Sequence, residues 1–311
     1  MRCLVTGGSG FVGANLARRL LSLGHEVHLF LRANRDWWRL DEILPKLRTH
    51  YLDVGDEKLG SVIQEIKPQW IFHLAAYGAY SWQDDLQQMV RTNIQGTMNL
   101  VRACTKHGFE SFVNAGSSSE YGYKDHPPAE TECPEPNSHY ALTKVAATMF
   151  CQHTARKEGV PITTLRLYSA FGPYEDPNRL MPTLIAHGLK GGLPPLVAPE
   201  TARDYVFIDD VVDAFLLAAG HQSHNPGAIY NLGTGIQTNL RQVVEVARRV
   251  MSINGQPEWG SMPSRHWDTT CWVADNRLIV RELGWAPRRS FEQGFQEMTN
   301  WYKRRHDTRS A

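Results

Sequence analysis

Three glycines, at positions 7, 10 and 13 of Thr6-Gly7-Gly8-Ser9-Gly10-Phe11-Val12-Gly13, constrain this chain more than any other stretch. A short apolar run, Cys3-Leu4-Val5, precedes them. Residues 14–23 follow with apolar side chains at helical spacing, and Gly24 acts as a stop. The reading is strand, tight turn, helix. Gly8, Gly10 and Gly13 satisfy G-x-G-x-x-G, while Gly7, Gly10 and Gly13 satisfy a wider G-x-x-G-x-x-G. Glycines let a backbone approach a ligand closely, and a helix start offers unpaired N–H groups at the positive end of its dipole. The arrangement therefore suits the pyrophosphate of a dinucleotide. Gly7, Gly10, Phe11, Val12 and Gly13 are its candidate contacts.

The same unit repeats. Residues 25–31, 48–52, 70–74, 111–115 and 162–167 read as further strands, with helical patterns over 57–66, 84–107 and 139–156. Alternating strands and helices at this spacing predict an α/β fold, a doubly wound parallel Rossmann sheet. A chain of 311 residues is long enough for a second part. We expect residues 1–172 plus about 203–235 to bind the dinucleotide. Residues of about 173–202 and 236–311 would form a smaller, discontinuous C-terminal substrate-binding domain. A net charge of +1 provides no field for nucleic acid or anionic lipid, and no apolar run is long enough to span a bilayer. The first strand begins beside Met1, leaving no room for a secretory leader. Five cysteines without a C-x-x-C pair, and thirteen histidines without ligand spacing, predict reduced thiols in a cytoplasmic protein with no metal site.

In such a sheet, ligands lie beyond the C-terminal ends of the strands. Arg32 and Arg35 follow the second strand, where an acidic residue would hold the ribose 2′-hydroxyl of NAD. Cations there suit a 2′-phosphate and favour NADP(H), with NAD still possible; two solvated arginines are the plainer alternative. Asp53-Val54 ends the third strand, where the carboxylate could meet an adenine amino group. Leu74-Ala75-Ala76 ends the fourth with residues small enough for a cofactor to pass. Ser117, Ser118 and Ser119 follow the fifth, where a polar turn would also explain them. Tyr140 and Lys144, four apart, share one helix face. An ammonium beside a phenol favours the phenolate and draws its pKa of about 10 toward working pH. The pair could then exchange a proton with a substrate oxygen while a nicotinamide handles hydride.

Together, the glycine turn, Asp53-Val54, Ala75-Ala76, Asn93, Ser117 and Tyr140/Lys144 resemble an extended short-chain dehydrogenase/reductase over nearly the full chain. The branch it resembles acts on nucleotide-diphosphate sugars. The resemblance implies Tyr140 as acid/base, Lys144 as holder of the nicotinamide ribose and Ser117 as the hydroxyl polarising the reacting oxygen. It adds Asn93 to the cofactor contacts, and Ser118, Ser119, Ser169, Asn178, Arg203, Arg265 and Asp268 to the substrate contacts. Ser169 departs from the Asn of many relatives. Arg203 could make charge-assisted contacts to a diphosphate, or simply pair with Asp204 or Asp209. Similar proteins dimerise through a four-helix bundle, which here would use the helices over 84–107 and 139–156. Tyr80, Ser81 and Trp82 lie where relatives contact the sugar. Trp37 and Trp38 could flank adenine, though a loop anchoring itself is the plainer reading. Trp259, Trp267 and Trp272 could stack a base, with packing in the smaller domain the plainer reading, and Trp285 reads as packing.

Four activities compete. The cation after the second strand favours NADPH-dependent reduction of a nucleotide-diphosphate 4-keto-6-deoxyhexose at C4. The alternative is an NAD-dependent 4-epimerase that oxidises C4 transiently. A 4,6-dehydratase needs a further acid and base, which relatives supply as Asp-Glu directly after the catalytic hydroxyl. Here those places are Ser118 and Ser119, and Glu120 could serve only through a one-residue shift. A scaffold without turnover would have no need of the hydroxyl, phenol and ammonium.

Overall fold

The computed structural model describes residues 1–33, 36–221, 225–263 and 269–310, with side chains through residue 305. The first half alternates β1 (Arg2–Thr6), α1 (Phe11–Ser22), β2 (Glu26–Leu31), β3 (Arg48–Tyr51), α2 (Leu59–Ile66) and β4 (Trp70–His73). A continuous helical stretch follows: α3 (Leu86–Met89), a π-helical segment (Val90–Gly96) and α4 (Thr97–His107). Then come β5 (Ser111–Ser117), α5 (His139–Glu158), β6 (Ile162–Leu167), β7 (Ser169–Phe171), α6 (Leu180–Gly188), β8 (Ala202–Phe207) and α7 (Ile208–Gly220). The chain ends with β9 (Ile229–Leu232), β10 (Gln237–Asn239), α8 (Leu240–Met251), α9 (Arg277–Leu283) and α10 (Phe291–Ser310).

Seven strands form one parallel sheet in the order β3-β2-β1-β4-β5-β6-β9. This is the expected doubly wound Rossmann arrangement. Strands such as β1 bury side chains on both faces, with Cys3, Leu4 and Val5 fully enclosed. Each fully buried aliphatic side chain contributes about 1.5–3 kcal/mol. Two hydrophobic clusters cover the two faces. One of them runs on from the α1/α7 face into α6, α8 and α10. A second, three-stranded sheet orders β10-β8-β7. The sequence division placed 203–235 with the dinucleotide part; within that span β9 joins the large sheet, whereas β8 pairs with β7 and β10 in this small one.

The direction of winding reverses between β1 and β4, which opens a crevice above their C-terminal ends. Thr6 pairs with His73 there, so Gly7 and Leu74 leave the sheet side by side. The Thr6 hydroxyl meets His73 Nδ1 at 2.7 Å and accepts from Ala75 N at 3.2 Å, while His73 Nε2 meets the Thr97 hydroxyl at 2.8 Å. Burial holds His73 down to about 3, so it stays neutral and acts as a brace. Among the described residues no helix is long and apolar enough to cross a membrane, and no group of three or more ligating side chains could hold a metal. All five cysteines are free.

Candidate active site

The crevice deepens into a cavity of about 1010 Å³. Gly7, Gly10, Phe11, Val12 and Gly13 line one end, with Leu74 and Ala76 beside them. These glycines are bare for a steric reason. Gly7 has φ +68°, and a Cβ there would stand 2.7 Å from the backbone of Leu74 and Ala75. A Cβ on Gly13 would lie 2.4 Å from the Gly7 carbonyl oxygen. The turn is thus compressed against β4, and α1 begins with its N–H groups toward the cavity: a cradle that fits a dinucleotide pyrophosphate.

The reacting groups meet farther along the same wall. β5 runs two residues longer than its sequence pattern predicts, ending at Ser117. There the chain enters a 3₁₀ turn, 118–121, capped by the Ser117 hydroxyl, which accepts from Ser119 N at 3.2 Å. Ser138 starts α5 by accepting from Ala141 N, which sets Tyr140 and Lys144 on the face toward β5. Ser117 and Tyr140 both line the cavity, and the Ser117 hydroxyl is near enough to favour the Tyr140 phenolate. Lys144 is buried, and its Nζ donates to the Ala115 carbonyl at 2.6 Å.

The electrostatics correct one expectation. Burial pushes the Tyr140 phenol up to about 12, and the Ser117 hydroxyl lowers it only in part. Lys144 is not among the main influences on it, and its ammonium is bound to the Ala115 carbonyl. The Lys144 pKa is itself lowered, first by burial, with the Glu120 charge pulling the other way. In this site Tyr140 is a phenol at neutral pH, ready to donate a proton.

Glu120 is also corrected. It is fully buried and its carboxylate accepts from Arg166 Nε at 2.8 Å, from Ser117 N at 2.8 Å and from the Thr148 hydroxyl at 2.9 Å. Arg166 donates in turn to the Tyr121 hydroxyl at 2.7 Å, which donates to Asn231 Oδ1 at 2.7 Å. Glu120 is an anchor for the serine turn, its carboxylate spent on three partners and turned away from any acid/base role.

Ser118, Ser119, Ser169 and Arg203 line the cavity as expected, with Tyr80 and Ser81, whereas Trp82 stacks on Tyr80 and is exposed. Asp204 accepts from Thr234, Gly235 and Ala274, and Asp209 pairs with Arg289, so both carboxylates are engaged away from Arg203. Its guanidinium instead lies 5.4 Å from the Trp272 ring. Trp272 is the aromatic misread as packing: it forms cavity wall, and its Nε1 donates to the Ser118 hydroxyl at 3.2 Å. Trp285 packs in the core, and Trp259 and Trp37 pack against it, Trp37 beside Tyr51.

Other expected contacts fall elsewhere. Asn178 is exposed, with its amide tied to Asp176 Oδ1, while Glu175 and Arg179 face the cavity in its stead. Asn93 is buried in the π-helical segment, binding both backbone groups of Tyr77 and the Thr143 hydroxyl at 2.8 Å each. It ties the loop after β4 to α5. Val54 is buried against Gly96, and Asp53 accepts from Gly55 N at 3.0 Å; neither they nor Ala75 forms cavity wall. Arg32 is exposed at the end of β2, also outside that wall. Arg35, Arg265, Trp267 and Asp268 lie outside the described residues. Glu175 and Arg179 had no periodic signal; they sit in a loop and at a helix cap.

The NAD dependent epimerase/dehydratase family model matches residues 3–233. The chain is 29% identical to UDP-glucose 4-epimerase of Mycolicibacterium smegmatis, over 97% of this chain and 99% of that one. It is 28% identical to dTDP-glucose 4,6-dehydratase of Streptomyces griseus, over 96% and 93%. The structure of Thermus thermophilus UDP-glucose 4-epimerase in complex with NAD superposes with a TM-score of 0.85 at 28% identity, covering 97% and 99%.

Proposed function

The chain belongs to the NAD dependent epimerase/dehydratase family, and from that premise we propose that it is an NAD-dependent 4-epimerase of a nucleotide-diphosphate sugar. The observation that carries this is Ser117 beside the Tyr140 phenol, with Lys144 one turn on, in a cavity that the glycine cradle also lines. At about 1010 Å³ the cavity exceeds the usual ligand pocket of about 300–1,000 Å³, which suits a dinucleotide and a sugar nucleotide held together. Gly7, Gly10 and Gly13 would hold NAD, which would supply reversible hydride transfer at C4. Tyr140 would exchange the proton of the C4 oxygen, Ser117 would hold that oxygen by a hydrogen bond, and Arg203 would meet the diphosphate.

The reductase expectation rested on Arg32, and the named epimerases of nearly full length support the epimerase better. The dehydratase reading is weakened by Glu120, whose carboxylate is consumed by Arg166, Ser117 and Thr148. The substrate would sit against residues 173–202 and 236–311. A homodimer through the helices over 84–107 and 139–158 is part of this proposal; the outer face of α5 carries Leu142 and Met149, 55% and 37% exposed.

Incubation with UDP-glucose and NAD, without NADPH, should give UDP-galactose with no net change in NADH absorbance. Stoichiometric consumption of NADPH on a 4-keto-6-deoxy sugar nucleotide, with no interconversion of epimers, would restore the reductase. Arg32→Ala separates the cofactors. Under the NAD reading it leaves NAD affinity within about twofold, since one exposed cation contributes little to a ligand without a 2′-phosphate. A large loss of NADPH affinity, with NADPH preferred in the unaltered protein, would return the assignment to NADP.

A further inference from the structure

Between β7 and α6 the loop carries Glu175, a residue that none of the roles above uses. It forms part of the cavity wall yet is only 5% exposed. Its backbone N–H donates to the Gly172 carbonyl, which pins the residue in place. Arg179 Nε stands 3.8 Å from Oε1, too long for a hydrogen bond, and Oε2 has no hydrogen-bond partner among the described residues. Buried carboxyl oxygens are rarely left this way, and one that is in a binding cavity wants a donor from a ligand.

The surroundings say which part of a ligand that is. Glu175, Arg179, Tyr80 and Tyr140 line the same cavity, and Arg179, 3.8 Å from Glu175, and Tyr80 are near enough to influence Tyr140 as well. Five groups face it from four directions: Arg179 and Asp176 on its own loop, Tyr80 after β4, Arg39 after β2, and Tyr302 on α10. Burial raises its pKa to about 8 despite Arg179, so the carboxyl offers both a donor and an acceptor near neutral pH.

We propose that Glu175 is a specificity-determining residue whose open carboxyl oxygen hydrogen-bonds one hydroxyl of the substrate's hexose ring. The inference rests on the nucleotide-sugar reading. Arg179, whose side chain is about half exposed, can shift to admit the sugar without unpacking the core. A site that is built to bond a hydroxyl rejects an analogue lacking it far more strongly than an apolar wall would.

The test is a binding cycle by calorimetry. UDP-, dTDP-, CDP- and GDP-glucose are titrated into the NAD-loaded protein, and the tightest is compared with its parent diphosphate and with its 2-, 3-, 4- and 6-deoxy analogues. Glu175→Leu should weaken the sugar nucleotide by about tenfold or more while leaving the parent diphosphate within twofold. One deoxy analogue should bind Glu175→Leu and the unaltered protein equally, and the other three should keep the full ratio. Should the leucine variant not fold, Glu175→Gln keeps the shape and should show the same single-analogue pattern at about threefold. Equal losses for sugar nucleotide and parent diphosphate, or the same ratio for all four analogues, would overturn the role of Glu175 alone. If no nucleotide sugar binds the unaltered protein, the functional reading falls and this inference with it.

Discussion

Tyr140→Phe should lower turnover by about 10²–10⁴-fold, the range for losing a general acid–base group, with NAD affinity within about twofold. The phenol oxygen is the atom removed, and its neighbour is Ser117, whereas the glycine cradle is built from the turn after β1. Calorimetric titration of NAD and a fixed-time assay of epimer formation measure the two halves. Weakened NAD with residual turnover unchanged would take Tyr140 out of the mechanism. The pH profile adds a sign. Since the folded-state pKa is raised to about 12, the phenolate needed to abstract a proton is scarce at neutral pH. If oxidation limits the rate, turnover should climb between about pH 6 and 9.

Arg166→Met carries the largest expected cost in stability, about 3–5 kcal/mol in urea unfolding, because it leaves the Glu120 carboxyl group fully buried without its partner. Arg166 is itself only 1% exposed. Replacing both residues, as Glu120→Leu with Arg166→Met, should recover only part of the loss. Removing the carboxylate also strips the acceptor from Ser117 N and the Thr148 hydroxyl, which would remain buried. Full recovery in the double variant would mean that the carboxylate's other hydrogen bonds contribute little.

Much of the fold was legible because it rests on local signals. Glycine spacing, apolar runs and caps such as Ser138 fix where β1, α1 and α5 begin, and parallel pairing follows from their alternation. Ser117, Tyr140 and Lys144 were legible for the same reason: each sits at a fixed offset from a strand end or a helix start. Residues that depend on distant packing were not. Asn93 looked like a cofactor contact because its role, bridging Tyr77 and Thr143, is set by how a π-helical segment meets α5. Trp272 looked like packing because its partner, Ser118, is 154 residues away. Glu175 gave no signal, since an acid in a proline-flanked loop is ordinarily solvated. The ammonium's effect on Tyr140 was misjudged because spacing along a helix says nothing of which carbonyl the lysine will find.

The hydrogen bond from Tyr121 to Asn231 spans 110 positions, and Asn231 Nδ2 donates on to the carbonyls of Pro128 and Asp275. Closing so long a loop is slow relative to forming neighbouring turns. During synthesis, then, the glycine turn, Tyr140, Lys144 and the Glu120–Arg166 anchor leave the ribosome well before Asn231. A nascent chain halted at residue 200 would contain every group assigned to proton transfer and still lack the acceptor that fixes the Tyr121 end of the serine turn. Competence arrives late, with the last third of the polypeptide.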